Sequence, residues 1–292
     1  MNWPLFFAFL SGAILGLMNV FDTYIVKLRV KNLMGFAIVS ALTNILFGVI
    51  LALFLNWTVY SFSDYTFSIL AGLVMGIQLF FYYFVLSKHD SSHAIGLIYS
   101  YPIIVAILSF FFLNEQLSLL GYVGMAITLL GVLLLSVRVK KLRVSIAIWS
   151  LVIVTLGAGL HEFFAKIAVN QISPWHGTAI NSIAMGWFAL VLLLKKKYRI
   201  GFISEFRNIK LTFVSELLTL AGILAIYFAM NGLPATIVSV VSVVQPLFVL
   251  FFEWVAFSLG IKIVKDVNWK NKLFAIILII IGLILLYVND IV

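Results

Sequence analysis

The sequence contains no cysteine in 292 residues, which removes disulfides, thiolate metal ligands and thiol nucleophiles together. Charge is almost as scarce. Asp, Glu, Lys and Arg make up 10% of the chain, against roughly a quarter in a soluble domain. No polar stretch approaches the ~50 residues of the smallest ordinary domain, so a soluble catalytic domain and an independent nucleic-acid module both lack a place. No P-loop pattern occurs, so ATP is not expected as a direct energy source. The start, Met1-Asn2-Trp3-Pro4, carries no basic segment before the apolar sequence, and a cleaved signal peptide is not expected.

What is present is hydrophobic, 64% of the chain. A membrane-spanning helix needs about 20 apolar residues, and apolar runs lie at about 3–26, 33–55, 66–87, 93–113, 118–137, 145–169, 176–194, 211–230, 234–258 and 271–288. They are continuous rather than alternating, which excludes a β-barrel. The expected fold is an all-α integral membrane protein with ten transmembrane helices.

The formal charge of +9 would suggest nucleic acid in a soluble protein. Here 18 of the 19 Lys and Arg residues fall between runs 1 and 2, 3 and 4, 5 and 6, 7 and 8, or 9 and 10, the exception being Lys166. Basic residues keep to the cytoplasmic side, so this parity supports ten spans and puts both termini outside a plasma membrane.

The chain also repeats at a spacing of about 144 residues. Tyr83-Phe84 precedes Pro102 by 19 and 18 residues, and Tyr227-Phe228 precedes Pro246 by the same intervals. Gly131 answers Gly282, and Gly16-Leu17 answers Gly159-Leu160. Two five-helix halves follow, residues 1–143 and 144–292. An odd number of spans per half inverts the second half relative to the first, the architecture of secondary transporters.

Pro102, Glu115, Gly121-x-x-Gly124 and Gly131-Val132-Leu133, with Lys166 late in the sixth run, resemble the EamA-type branch of the drug/metabolite transporter (DMT) superfamily. The resemblance implies a ten-helix transporter of small metabolites or drugs with its substrate cavity between the halves, and not an enzyme. Two features depart from it. The position thirteen after Pro246 is Leu259 rather than an acid. The loop charges also point opposite to the termini-inside orientation that the resemblance implies.

Polar residues inside apolar runs are the candidate site. Asn44, Gln78, Tyr99, Tyr101 and Gln245 lie near the expected midplane, where an unpartnered amide costs roughly 2–7 kcal/mol. They line a cavity or serve as interhelical contacts worth about 0.6 kcal/mol each. The matched Tyr83 and Tyr227 could line a pocket that holds organic cations, with packing as the plain alternative. Pro102 and Pro246, read as mid-helix prolines, are hinge candidates, because matched interruptions in two repeats point to a binding site. Glu162, deep in run six beside His161, is the candidate coupling acid. Lys166, four residues on, could pair with it or snorkel to the outer interface.

Asp22, Glu216 and Glu253 lie within about five residues of the expected cytoplasmic ends of their helices and read as hydrated. Glu115 reads as a helix-end or gate residue. His89 and His93 in Lys88-His89-Asp90 and beyond have metal-compatible spacing but read as turn chemistry, so no metal site is expected.

The resulting expectation is a secondary active transporter that moves a small organic metabolite or drug-like solute by alternating access. It needs no bound cofactor, with a proton or ion gradient as candidate energy source. Its partners are the small-molecule substrate and the lipid bilayer, not nucleic acid, and it is a monomer or homodimer. A lipid-handling or flippase-like protein is the alternative, weakened because Lys166 is the one intramembrane base; a membrane enzyme and a receptor have less support.

Overall fold

A computed structural model describes residues 2–88, 98–136, 146–261 and 269–290, and among these the chain is helical with no strand. The helices are α1 (Trp3–Leu28), α2 (Leu33–Ala52), α3 (Thr66–Lys88), α4 (Tyr101–Leu113), α5 (Leu119–Ser136), α6 (Ile146–Val169), α7 (Pro174–Met185), α8 (Trp187–Leu192), α9 (Lys196–Glu205), α10 (Ile209–Gly232), α11 (Ala235–Ser242), α12 (Gln245–Ser258) and α13 (Trp269–Asp290). Seven helical segments are long and apolar enough to cross a membrane, and α4 and α5 are shorter apolar helices. The protein is therefore a multi-pass helical membrane protein. His89, Asp90, His93 and the basic loop residues 138–143 lie outside the described residues.

Local chemistry explains where the helices start. Asn2 Oδ1 accepts from the Leu5 N–H at 3.3 Å and Pro4 sits in the first turn of α1, satisfying a donor that the helix leaves free and avoiding another. Asn32 Oδ1 accepts from Gly35 N–H at 2.9 Å at the start of α2, and Ser173 caps α7 ahead of Pro174. The same end of α2 is closed from a distance: Glu205 Oε1 accepts from the N–H groups of Lys31 at 2.9 Å and Asn32 at 2.7 Å. A carboxylate there meets the positive end of the helix.

That contact corrects one sequence expectation. The segment 195–210, read as a connection, contains α9, whose last residue is the fully buried Glu205. Its polar periodicity is too weak to mark it as a helix from sequence.

The prolines are a second correction. Neither lies in a helix interior. Pro102 and Pro246 each occupy the first turn of a new helix, α4 and α12, just after a break at Tyr99-Ser100 and at Val243-Val244. Proline is tolerated there because the first-turn N–H has no acceptor anyway. Each break falls directly before its proline rather than at it.

Packing runs across the two halves of the chain. Helix α1 packs on α10, α3 on α6, α2 on α7 and α5 on α13. Backbones approach closely where side chains are absent. A Cβ on Gly72 would stand 2.3 Å from the Asn181 carbonyl oxygen, and one on Gly282 would stand 2.5 Å from that of Gly124. Hydrocarbon offers no hydrophobic drive for helices to associate, so such small-residue contacts supply the packing. Among the described residues, two large apolar clusters and two smaller ones result; the large ones each enclose a tyrosine. One surrounds Tyr83 with Phe36, Leu79 and Met185; the other surrounds Tyr227 with Val105, Ile223 and Val240.

Candidate functional site

The densest buried polar chemistry is held by two carboxylates that the sequence reading treated as hydrated helix-end residues. Asp22 and Glu216 are each 1% exposed, so that reading is corrected. Glu253, 4% exposed, is buried as well. The error came from counting distance along one helix. Side chains of neighbouring helices cover Asp22 and Glu216.

Glu216, on α10, projects among three first-half side chains. Ser40 donates to its Oε1, Asn44 Nδ2 donates to its Oε2 at 2.6 Å, and the Tyr83 hydroxyl lies 3.1 Å from Oε1. Ser40 and Tyr83 are themselves 2.8 Å apart. Asp22, on α1, accepts from Ser215 of α10 and lies 3.1 Å from the Tyr82 hydroxyl. Tyr82 in turn donates to Asn19 Oδ1 at 2.5 Å, and Asn19 Nδ2 donates to the Tyr99 hydroxyl at 3.0 Å. Adjacent pairs Tyr82-Tyr83 and Ser215-Glu216 thus join the two carboxylates into one network spanning α1, α2, α3 and α10.

Among the expected cavity residues, Asn44, Tyr83 and Tyr99 belong to this network. The others lie elsewhere. Tyr101 and Glu162 face each other across α4 and α6, and the Tyr101 hydroxyl also lies 3.5 Å from the Ser239 carbonyl. Glu162 is 4% exposed and its Oε2 has no partner among the described residues. Gln78 packs against Gly157 of α6, its Oε1 likewise unpartnered. His161 lies within hydrogen-bonding reach of Asn181 of α7, but neither His161 Nε2 nor the polar atoms of the Asn181 amide make a well-formed bond among the described residues. Tyr227 is fully buried against Gly177, its hydroxyl unpartnered in the same sense. Gln245 is buried at the start of α12.

Lys166 does not pair with Glu162. Its Nζ donates to the carbonyls of Met230 at 2.8 Å and Leu233 at 2.9 Å, closing the C-terminal end of α10. Glu162 is thereby left without a lysine partner. Glu115 follows the left-handed Asn114 (φ 53) at the end of α4 and lies 3.4 Å from the Thr236 N–H at the start of α11.

Sequence reasoning overlooked Asn19, Ser40, Ser215 and Asn181, and did not place Asp22, Tyr82 or Glu216 in a site. A signal existed for several of them. Asn19 and Asp22 stand three apart on one face of α1, and Thr212, Ser215, Glu216 and Thr219 form a polar stripe with helical spacing on α10. The adjacency of Ser40 to Glu216 has no such signature.

A buried polar network thus links helices from both ends of this multi-pass helical membrane protein. Residues 2–137, just under half of the chain, match the model of the EamA-like transporter family, so the first part of the chain is similar to that family. An uncharacterized protein of Methanocaldococcus jannaschii is 27% identical over 132 residues, 45% of this chain and 89% of that relative. A crystal structure of a protein superposes with a TM-score of 0.65 at 15% identity, covering 95% of each chain; at that identity the likeness concerns the fold alone.

Proposed function

We propose that the protein is a secondary active transporter that moves a small organic metabolite or drug-like solute across the plasma membrane by alternating access. Ten spans form two inverted five-helix halves, residues 1–143 and 144–292, with both termini outside. The observation that carries this reading is the set of unpartnered polar atoms on Gln78, His161, Glu162 and Asn181, buried where α3, α6 and α7 meet and beside α4. Buried polar groups are normally bonded, so a group of them left open is a place for a polar solute or water. Glu162 is the candidate acid there for holding a cationic group or a coupling proton.

The packing supports the repeat. Exchanging the halves turns α1 on α10 into α6 on α3, turns α1 on α12 into α6 on α4, and leaves α2 on α7 and α5 on α13 unchanged. The M. jannaschii relative agrees: 132 residues make up 89% of it, so its whole length is close to half of this chain. Matched helix breaks before Pro102 and Pro246 supply the hinge pair.

Counterflow in proteoliposomes against a panel of labelled amino acids, amines, nucleobases and sugars tests the function. Saturable exchange of one class is expected, and no exchange by any of them would overturn it. A single cysteine at Asp64 should label with an impermeant reagent from outside and one at Lys141 should not; the reverse pattern overturns the orientation.

One observation favours lipid handling instead. A groove of about 680 Å³ between α1, α11, α12 and α13 is lined by apolar side chains such as Leu5, Phe9, Val244, Phe248 and Ile284. Scrambling of a fluorescent lipid by the purified protein, without solute exchange, would establish that reading.

A further inference from the structure

The hydrogen bonds around Asp22 contain one more oxygen-to-oxygen contact than the hydroxyl protons can fill. Ser215 has one proton and gives it to Asp22 Oδ1. Tyr82 has one proton and two acceptors, Asn19 Oδ1 at 2.5 Å and Asp22 Oδ2 at 3.1 Å. The Asn19 amide is oriented by its own donation to Tyr99, so its oxygen faces Tyr82 and takes the Tyr82 proton over the shorter distance. The remaining contact between Tyr82 and Asp22 is a hydrogen bond only if Asp22 itself supplies the proton.

Glu216 is arranged differently. Ser40 and Asn44 donate to different oxygens of its carboxylate, and the Tyr83 proton points at Ser40 and Glu216 Oε1 together, since these two oxygens are neighbours. Three donors converge on an acceptor, the setting of an anion. Among the described residues of α1, α2, α3 and α10 no Lys, Arg or His is hydrogen-bonded to either carboxylate; the titratable groups facing them are Tyr82, Tyr83 and Tyr99, with Lys27 of α1 and Glu253 of α12 at the same end of the bundle. Two uncompensated buried anions side by side would cost several kcal/mol each, whereas one anion and one acid fit the donors present.

Asn44 fits the anion at Glu216. It is fully buried, and its Nδ2 donates both to Glu216 Oε2 at 2.6 Å and to the Ser40 carbonyl at 3.2 Å, which holds the amide with its donor nitrogen towards the carboxylate.

We propose that Asp22 and Glu216 form a site for a single exchangeable proton, resting on Asp22 with Glu216 as its anionic partner, and separate from Glu162. The step is proton binding alone: a carboxylate oxygen of the pair gains the proton from water on one side of the membrane and returns it on the other. Because Ser215 and Glu216 belong to the second half of the chain while Asp22, Ser40, Asn44 and Tyr83 belong to the first, moving the proton changes the bonds that hold α10 against α1 and α2. This deepens the transporter reading and rests on it for its role in coupling.

Infrared spectroscopy of the purified protein in liposomes, with aspartate labelled by carbon-13 at the side-chain carboxyl, reads the proton directly and needs no substrate. At neutral pH a carboxylic-acid carbonyl band that shifts with the label is expected, lost in Asp22→Asn and kept in Glu162→Gln. Tyr82→Phe, which removes the acceptor of the proposed bond, should keep the band and move its frequency. A protein that shows no labelled acid band, or one unchanged by both Asp22→Asn and Tyr82→Phe, overturns the proposal. Asn is isosteric and can bond both Ser215 and Tyr82, and the Tyr82 variant provides a second reading if Asp22→Asn unfolds. Since solute counterflow is measured separately, a missing acid band leaves the transporter reading standing, and absent counterflow leaves the proton site standing.

Discussion

The two buried acidic regions differ in how completely the protein bonds them. Around Asp22 and Glu216, hydroxyls and amides from four helices converge on the carboxylates. Around Glu162, Gln78, His161 and Asn181 the polar atoms are equally buried but largely without partners. A bonded network resists rearrangement, because each charge-assisted bond broken in a low-dielectric setting costs more than the same bond in water. An open set of polar groups has already lost its water and gains on receiving a ligand. The first region therefore ties α10 to α1, α2 and α3, and the second keeps unspent hydrogen-bonding capacity.

The largest effect that would break this contrast is expected at Glu216. Replacing it with Ala strands Ser40, Asn44 and Tyr83, and orphaned buried groups cost about 1–3 kcal/mol each. Thermal unfolding in detergent should show a loss of roughly 3 kcal/mol or more by the same reckoning, and a wild-type-like transition would show that the network is not structural. Next is Lys166→Met, which frees the carbonyls of Met230 and Leu233 and should cost about 2 kcal/mol. In a double-mutant cycle with Glu162→Gln, its coupling should stay under about 0.5 kcal/mol; a larger value would restore an ion pair between them.

Smaller effects sharpen the same contrast. The matched tyrosines should separate, with Tyr83→Phe losing about 1 kcal/mol through its contacts to Ser40 and Glu216. Tyr227→Phe, whose hydroxyl bonds nothing among the described residues, should fall within about 0.5 kcal/mol of wild type. Equal losses at both would mean that the two halves use these residues alike. The smallest stability change is expected for Glu162→Gln, while its effect should fall on transport. Exchange with an unaltered pH dependence in that variant would remove Glu162 from coupling.

The legible part of the fold was what one helix reveals by itself. Runs of apolar residues coincide with helices, and Asn2, Asn32 and Ser173 cap where their side chains can reach an N–H three residues ahead. The site was legible only in pieces. Tyr83, Tyr99, Asn44 and Glu162 stood out because hydrocarbon penalises polar groups wherever they lie. Asp22 and Glu216 were passed over because depth along a helix was taken as depth from water. Lys166 was misjudged because its acceptors, two backbone carbonyls 64 and 67 residues away, leave no trace in side-chain identity.

By itself the sequence determined that the chain enters a membrane and where its long apolar helices run, since composition and periodicity are properties of the chain alone. Only the tertiary structure decided which polar groups are bonded and which remain open. Ser40 and Glu216 are 176 residues apart, and whether two such groups meet depends on how α2 and α10 pack, which no local pattern encodes.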